Sequence, residues 1–165
     1  HLQVLRSAGL SPLLVFGRRG DEKRLELART LGADAAIVAD RNEAREHAAR
    51  FTDGIGMALV IETAGTPEAV QTALDIAAGK GTVVTLGLAR STEIDALTVM
   101  RKDLTWMGVV ASVRRHYAEA IRLIRTGKVQ PERLITHRML LADALSGVSL
   151  MRDCEAVKIM FTPGV

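Results

Sequence analysis

Short, unbroken apolar runs alternate along the chain with stretches whose apolar residues recur at helical spacing. The runs are Leu13–Phe16 (LLVF), Ala35–Val38 (AAIV), Ala58–Glu62 (ALVIE), Thr82–Leu86 (TVVTL) and Leu104–Val110. They lack the apolar–polar alternation of a half-exposed sheet, so they read as parallel strands covered on both faces. The helical period predicts a helix ending at Gly9 and a second one after Asp21, with Leu25, Ala28 and Leu31 inward. Further helices are expected over Glu43–Phe51, over Thr66–Ala78 with Pro67 in its first turn, and over His116–Thr126. Strand and helix alternate at the pace of βαβ units, so residues 1–127 read as most of a doubly wound, Rossmann-like α/β domain with a mostly parallel sheet. Residues 128–165 read as a separate segment: an extended piece Leu134–Arg138, a helix Ala142–Met151 and a last strand Val157–Phe161.

Composition narrows the class. In 165 residues, 48% are hydrophobic and 25% charged, which excludes a disordered chain and permits a real core. The single cysteine, Cys154, excludes a disulfide framework and a multi-thiolate zinc site, and favours a reducing, cytoplasmic setting. No run is long enough to span a membrane, and no signal peptide is visible. A net charge of +3 is spread along the chain and aromatics are only 3%, so neither a nucleic-acid nor a membrane partner is expected. The chain opens on His1 rather than Met, which points to a piece of something longer.

A dinucleotide fold needs a Gly-rich turn between its first strand and first helix, so that the backbone can approach a pyrophosphate at the helix N-terminus. No GxGxxG is present. Gly54-Ile55-Gly56 and Gly79-Lys80-Gly81 both precede strands, the wrong side, and read as turns. Because the opening residues already read as helix, the domain is expected to lack its first strand and Gly-rich turn. That strand would be central in a sheet of this class, leaving Leu13–Phe16 and Ala58–Glu62 with bare edges. Unpaired buried backbone groups cost about 1–3 kcal/mol each, so some repair of those edges is expected. Three forms are open: the edges close on each other, another segment fills the place (Val157–Phe161 is the leading internal candidate), or an upstream piece pairs there.

The order and spacing of five segments carry a family resemblance: Arg24–Ile37, Ala58–Leu74, Gly79–Leu88, Lys102–Val110 and Gly127–Leu145. Together they resemble the cofactor-binding half of zinc-type medium-chain alcohol/polyol dehydrogenases. The LITHR run (Leu134–Arg138) is more like the sorbitol and threonine dehydrogenase branch than the zinc-free quinone reductases. The resemblance implies an NAD(P)-dependent enzyme that transfers hydride between an alcohol carbon and nicotinamide. It also implies a separate catalytic domain carrying zinc, to which residues 128–165 return, and inactivity of this chain alone. No catalytic residue and no metal ligand is expected within the chain.

The same resemblance assigns cofactor contacts. The end of the second Rossmann strand discriminates NAD from NADP, since an acid there binds a ribose 2′-hydroxyl and arginines pair with a 2′-phosphate. The matching place is Gly17 or Arg19, depending on the direction of counting. Gly17-Arg18-Arg19-Gly20 offers two cations and no acid, which favours NADP over NAD. A solvated basic loop is the other reading, and Asp21 is more simply a helix cap. Thr63-Ala64-Gly65 is implied to pass the nicotinamide-side ribose. Leu86-Gly87-Leu88 is implied to hydrogen-bond the carboxamide, and Gly108-Val109-Val110 to form the third nicotinamide contact. Some polyol enzymes carry a phenylalanine near Val110 and an arginine near Ala111; this chain has neither, which weighs against a polyol.

The remaining polar residues read as structural: His1, His47 and His116 on helical segments, His137 in the THR run, isolated Cys154, and Glu62 at a strand end with no second titratable group nearby. Trp106 and Met107 make Leu104–Val110 an apolar edge, an association hazard if bare. By resemblance it pairs with its counterpart across a two-fold axis, giving a homodimer. Other functions remain open: a zinc-free quinone or enoyl reductase of the same superfamily, or a non-catalytic Rossmann-like binding domain. A methyltransferase would want a Gly-rich loop and an acid-ended second strand, and both are missing.

Overall fold

The computed structural model describes residues 1–88 and 91–164. Its elements run α1 (Leu2–Ser7), β1 (Leu14–Gly17), α2 (Glu22–Thr30), β2 (Ala35–Val38), α3 (Arg41–Phe51), β3 (Met57–Glu62), α4 (Pro67–Ile76), β4 (Ala77–Thr85), α5 (Ala96–Arg101), β5 (Thr105–Gly108), α6 (Arg114–Arg125), β6 (Ile135–Leu140), α7 (Ala144–Arg152) and β7 (Lys158–Thr162). Every strand pair is parallel: β1 with β2, β3 with β4, β4 with β5, and β6 with β7. All five apolar runs are strands in this α/β fold.

The chain divides into two compact units, 1–38 with 113–165, and 39–112. In the first, Leu25, Ala28 and Ala36 form a small core that Leu2, Val15 and Ala33 extend. Gln3 and Gln130 exchange side-chain-to-backbone hydrogen bonds, at 2.6 and 3.3 Å. The C-terminal strands belong to this unit, and Gly147 of α7 lets Phe161 approach so closely that a Cβ there would sit 2.5 Å from the ring. Asp21 precedes α2 as expected but its side chain makes no cap bond; it accepts instead from the Arg18 N–H (3.2 Å) and from Arg24 (2.8 Å).

In the second unit, Ala73, Leu74, Ala77 and Val83 are buried, with Val60, Ile94, Val99 and Leu104 around them. Helix α3 begins two residues before the expected Glu43, because Asp40 supplies a full capping box with that glutamate. Helix α4 ends at Ile76, not Ala78: Lys102 donates to the carbonyls of Leu74, Asp75 and Ala77 (3.1, 2.5 and 2.8 Å), taking up the orphan acceptors of its last turn. Burial pushes the Lys102 ammonium below its ordinary pKa. The Gly79–Gly81 stretch, expected as a turn, lies inside β4, with Lys80 at φ 60° and an irregular register against β3.

The edges of β1 and β3 are not repaired in the way the chain itself could provide. Among the described residues β1 pairs only with β2, and β3 only with β4. Strand β7, the expected internal substitute, pairs with β6 over Ile135–Leu140. Its place is fixed locally: the Val157 N–H donates to Thr136 Oγ1 (3.1 Å), which ties the start of β7 to β6.

Candidate functional site

Three of the four expected cofactor segments come together in the second unit. The ladder sets Glu62 opposite Thr85 and Thr85 opposite Gly108, so β3, β4 and β5 end at one level. The turns Thr63–Gly65, Leu86–Leu88 and Gly108–Val110 therefore lie side by side at the carboxyl ends of parallel strands, where open α/β sheets bind their ligands. Backbone bonds hold them in step. The Leu86 and Gly87 N–H groups donate to the Glu62 carbonyl (2.8 and 3.2 Å), and the Val109 N–H to the Thr85 carbonyl (3.0 Å). On the third strand, Trp106 Nε1 donates to Thr85 Oγ1 (2.9 Å). Thr66 caps α4 through the Ala69 N–H, with Pro67 at the first position, so the first turn leads straight into a helix N-terminus.

Two glycines make the first two turns a cradle. A Cβ on Gly65, which sits at φ +69°, would lie 2.7 Å from Leu88 N. A Cβ on Gly87 would strike Gly65 N and stand 2.5 Å from Gly65 Cα. The obstacles are backbone, which cannot swing aside, so only glycine at both places allows the turns to meet. Glycine, having no Cβ, is the residue that lets two backbones approach this closely. Leu88 and Val110 are 84% and 79% exposed beside it.

Glu62, read as structural, is buried beneath the cradle at 5% exposure. Its Oε1 accepts from the Ala64 and Gly65 N–H groups (2.6 and 2.8 Å), while Oε2 is buried without a hydrogen-bond partner. The sequence did carry a signal for this: an acid ending an apolar run, then two small residues (Glu62-Thr63-Ala64-Gly65) whose amides it can reach.

The fourth segment belongs to the first unit. Gly17 ends β1, and a Cβ there would crowd Leu25 of α2 at 3.2 Å, so this glycine brings strand and helix together. Arg18 and Arg19 are exposed in the turn that follows. The Glu22 carboxyl is held below its ordinary pKa by its own and Gly20's backbone N–H groups, with the Arg19 charge adding to them. Asp21 is engaged by Arg18 N–H and Arg24.

A cavity of about 580 Å³ in the second unit, lined by Arg45, Glu46, Asp75 and Lys102 among others, opens beside Gly54–Gly56 and Ala77. That is the amino end of β3 and β4, opposite the cradle, where strand-end geometry does not place ligands. Among the described residues no group of three or more His, Cys, Asp or Glu side chains could hold a metal ion, and no helix is long and apolar enough to cross a membrane. The donor set for a zinc ion is therefore not found among the described residues.

Parallel strands ending in glycine-bearing turns, the first leading into a capped helix, define a Rossmann-like nucleotide-binding α/β fold. Residues 1–126 match the zinc-binding dehydrogenase family, and the chain belongs to it. Over 163 residues it is 26% identical to a sorbitol dehydrogenase of Halalkalibacterium halodurans, covering 98% of this chain and 47% of that protein. Over 164 residues it is 31% identical to an L-threonine 3-dehydrogenase of Symbiobacterium thermophilum, covering 97% and 46%. It superposes on the alcohol dehydrogenase of Thermus sp. ATN1 with TM-score 0.90 at 28% identity, covering 99% and 48%. A short chain alcohol dehydrogenase of E. coli CFT073, solved with NADH, gives TM-score 0.85 at 25% identity, covering 98% and 48%. The chain spans about half the length of the curated relatives it matches.

Proposed function

We propose that this chain is the nucleotide-binding half of an NAD(P)-dependent alcohol or polyol dehydrogenase. The observation that carries the reading is the glycine-lined cradle made where β3, β4 and β5 end in register. A bound nicotinamide supplies the chemistry, accepting or giving a hydride. This chain's own residues bind and orient: Thr63–Gly65 beside the nicotinamide-side ribose, Leu86–Leu88 at the carboxamide, and Gly108–Val110 on the flank of the ring. Gly17, Arg18 and Arg19 take the adenosine end. Two exposed guanidinium groups, with Asp21 engaged by the Arg18 N–H and by Arg24, support NADP over NAD. Zinc and the groups that touch substrate belong to the catalytic domain of the whole protein, to which residues 128–165 return, and this chain alone is inactive. The whole protein works in the cytoplasm as a homodimer; four exposed β5 residues, including Trp106 and Met107, support pairing along that edge.

Titration of the intact protein with NADPH and NADH, followed by nicotinamide fluorescence, tests the reading. NADPH is expected to bind the tighter. Replacing Arg18 and Arg19 by Ala should weaken NADPH by roughly 10- to 100-fold, the worth of a charge-assisted contact, and leave NADH within about twofold. Equal loss for both cofactors, or tighter NADH binding by the unaltered protein, refutes the NADP assignment. Failure to bind either refutes the function. Light scattering that shows a monomer refutes the dimer.

A further inference from the structure

Glu62 and Gln71 are the two polar residues buried as whole residues among the described residues. Gln71 is satisfied: it accepts from the Asp95 N–H (2.8 Å) and donates to Asp75 (2.9 Å). Glu62 is not. It makes no ion pair among the described residues, and one of its two oxygens has no donor. A buried oxygen without a donor is costly, and the bonds that Oε1 accepts from the Ala64 and Gly65 N–H groups offset only part of that cost. Stability therefore does not explain it.

What the carboxylate does is visible in its contacts. Oε1 draws in two successive N–H groups of the first turn, with bonds of 2.6 and 2.8 Å, the short lengths of charge-assisted pairs. Oε2 stands against the second turn, 2.7 Å from where a Cβ on Gly87 would be. The main-chain carbonyl of the same residue takes the Leu86 and Gly87 N–H groups. One residue thus reaches both walls of the cradle, and no other side chain among the described residues hydrogen-bonds the backbone of either turn.

We propose that Glu62 is a positioning residue for the nicotinamide half of the dinucleotide, clamping the Thr63–Gly65 and Leu86–Leu88 turns at the separation a bound ring needs. The inference rests on the cofactor reading above and adds the device that sets the site's geometry. The clamp acts through the turns: Oε2 is buried, so the carboxylate stays beneath the cradle and does not touch the ligand. Its influence is confined to the nicotinamide end.

The test uses Glu62→Ala, which removes the clamp, and Glu62→Gln, which keeps an acceptor oxygen for the two N–H groups and removes the charge. Each is made in the intact protein. The first readout needs no cofactor: amide hydrogen exchange at Ala64 and Gly65. It should accelerate at least about tenfold in the alanine variant and much less in the glutamine variant. The second is binding, with the tighter of NADPH and NADH as the whole-cofactor probe and adenosine 2′,5′-bisphosphate or 5′-AMP as the matching adenosine-end probe. The alanine variant should lose roughly 10- to 100-fold in affinity for the dinucleotide and nothing for the fragment, and the glutamine variant should recover most of the loss. Unchanged exchange, unchanged dinucleotide binding, or equal loss of dinucleotide and fragment overturns the clamp, the last showing a role in the fold at large. If alanine fails to fold, a glutamine variant with wild-type exchange and a loss as large as 100-fold overturns it as well, since charge and not clamping would then be at work. An unaltered protein that binds neither dinucleotide overturns the cofactor reading itself and is recognised at the first titration.

Discussion

Replacing Gly87 by Ala puts one methyl group where two backbones already touch. The new Cβ would overlap Gly65 N, stand 2.5 Å from Gly65 Cα and 2.7 Å from Glu62 Oε2. Carbon atoms rest comfortably at about 3.5–4.0 Å, so the two turns would have to part by roughly 1 Å. Both obstacles on Gly65 are main chain, and the third is a carboxylate already held by two N–H groups. None of them can rotate away. Overpacking in such places costs about 1–3 kcal/mol, and the upper end applies because relief also stretches the bonds from Leu86 and Gly87 to the Glu62 carbonyl. Gly87 has no left-handed backbone angle, so none of the cost is backbone strain. A loss of about 3 kcal/mol lowers the melting temperature by roughly 6–12 °C in a chain of this size. The comparison is Gly108→Ala, on the adjacent strand end, where a Cβ meets nothing within 4 Å. That variant should stay within about 0.5 kcal/mol of the parent. Urea unfolding and thermal melts of the three proteins give the answer. Equal midpoints for Gly87→Ala and the parent, or equal damage from the two alanines, would show that the turns are not packed backbone to backbone.

Leu74 is wholly buried among Ala73, Ala77 and Val83, so Leu74→Ala should cost about 3 kcal/mol, read as a lower urea midpoint at unchanged slope. Asp40→Ala removes the carboxylate that accepts from the Asn42 and Glu43 N–H groups at the start of α3 (2.8 and 2.9 Å) and should cost about 1 kcal/mol; Asp40→Asn should recover most of it. The Asp34 carboxyl is held below its ordinary pKa by the Leu13 N–H (2.6 Å) and by Arg6 (2.7 Å). A depressed carboxylate contributes stability above the unfolded value of about 3.9 and loses it as pH falls through the lower folded value. Asp34→Asn should therefore flatten the acid limb of a stability–pH curve and leave its shape above about pH 5 unchanged.

The strands were legible because each is an unbroken apolar run between glycines, prolines or polar residues, and the period of the intervening stretches gave the helices. The α4–β4 boundary was not legible. Ala77 and Ala78 extend a helix as well as a strand, and the decision comes from Lys102, twenty-five residues away from Ala77 and reaching its carbonyl. Helix α5 (ALTVMR) was missed because six residues carry too little periodicity; it is started by Asp95, whose carboxylate takes the Leu97 N–H (3.0 Å). The substitute sought for the edges of β1 and β3 failed for a local reason, the Thr136 bond that commits β7 to β6. At the site, the turns Thr63–Gly65, Leu86–Leu88 and Gly108–Val110 were placed by resemblance. That Gly65 and Gly87 touch is a tertiary fact between residues far apart in sequence. The weight carried by Glu62 follows from that contact, which is why a lone acid at a strand end read only as structural.

The cradle is framed by main-chain atoms and one carboxylate, and this divides labour along the sequence. Thr63, Leu86, Leu88 and Val110 contribute no side-chain hydrogen bond to the frame, and Leu88 and Val110 point largely into solvent. The exposed side chains of Thr63, Leu88 and Val110 can be exchanged with little consequence for folding, as is usual at such positions away from caps and cores. A library that randomises these three positions while keeping Glu62, Gly65 and Gly87 would vary the chemistry of the rim over an unchanged platform. The platform is invariant in shape and permissive in surface, so new ligand preferences can be explored here without first rebuilding the sheet that supports them.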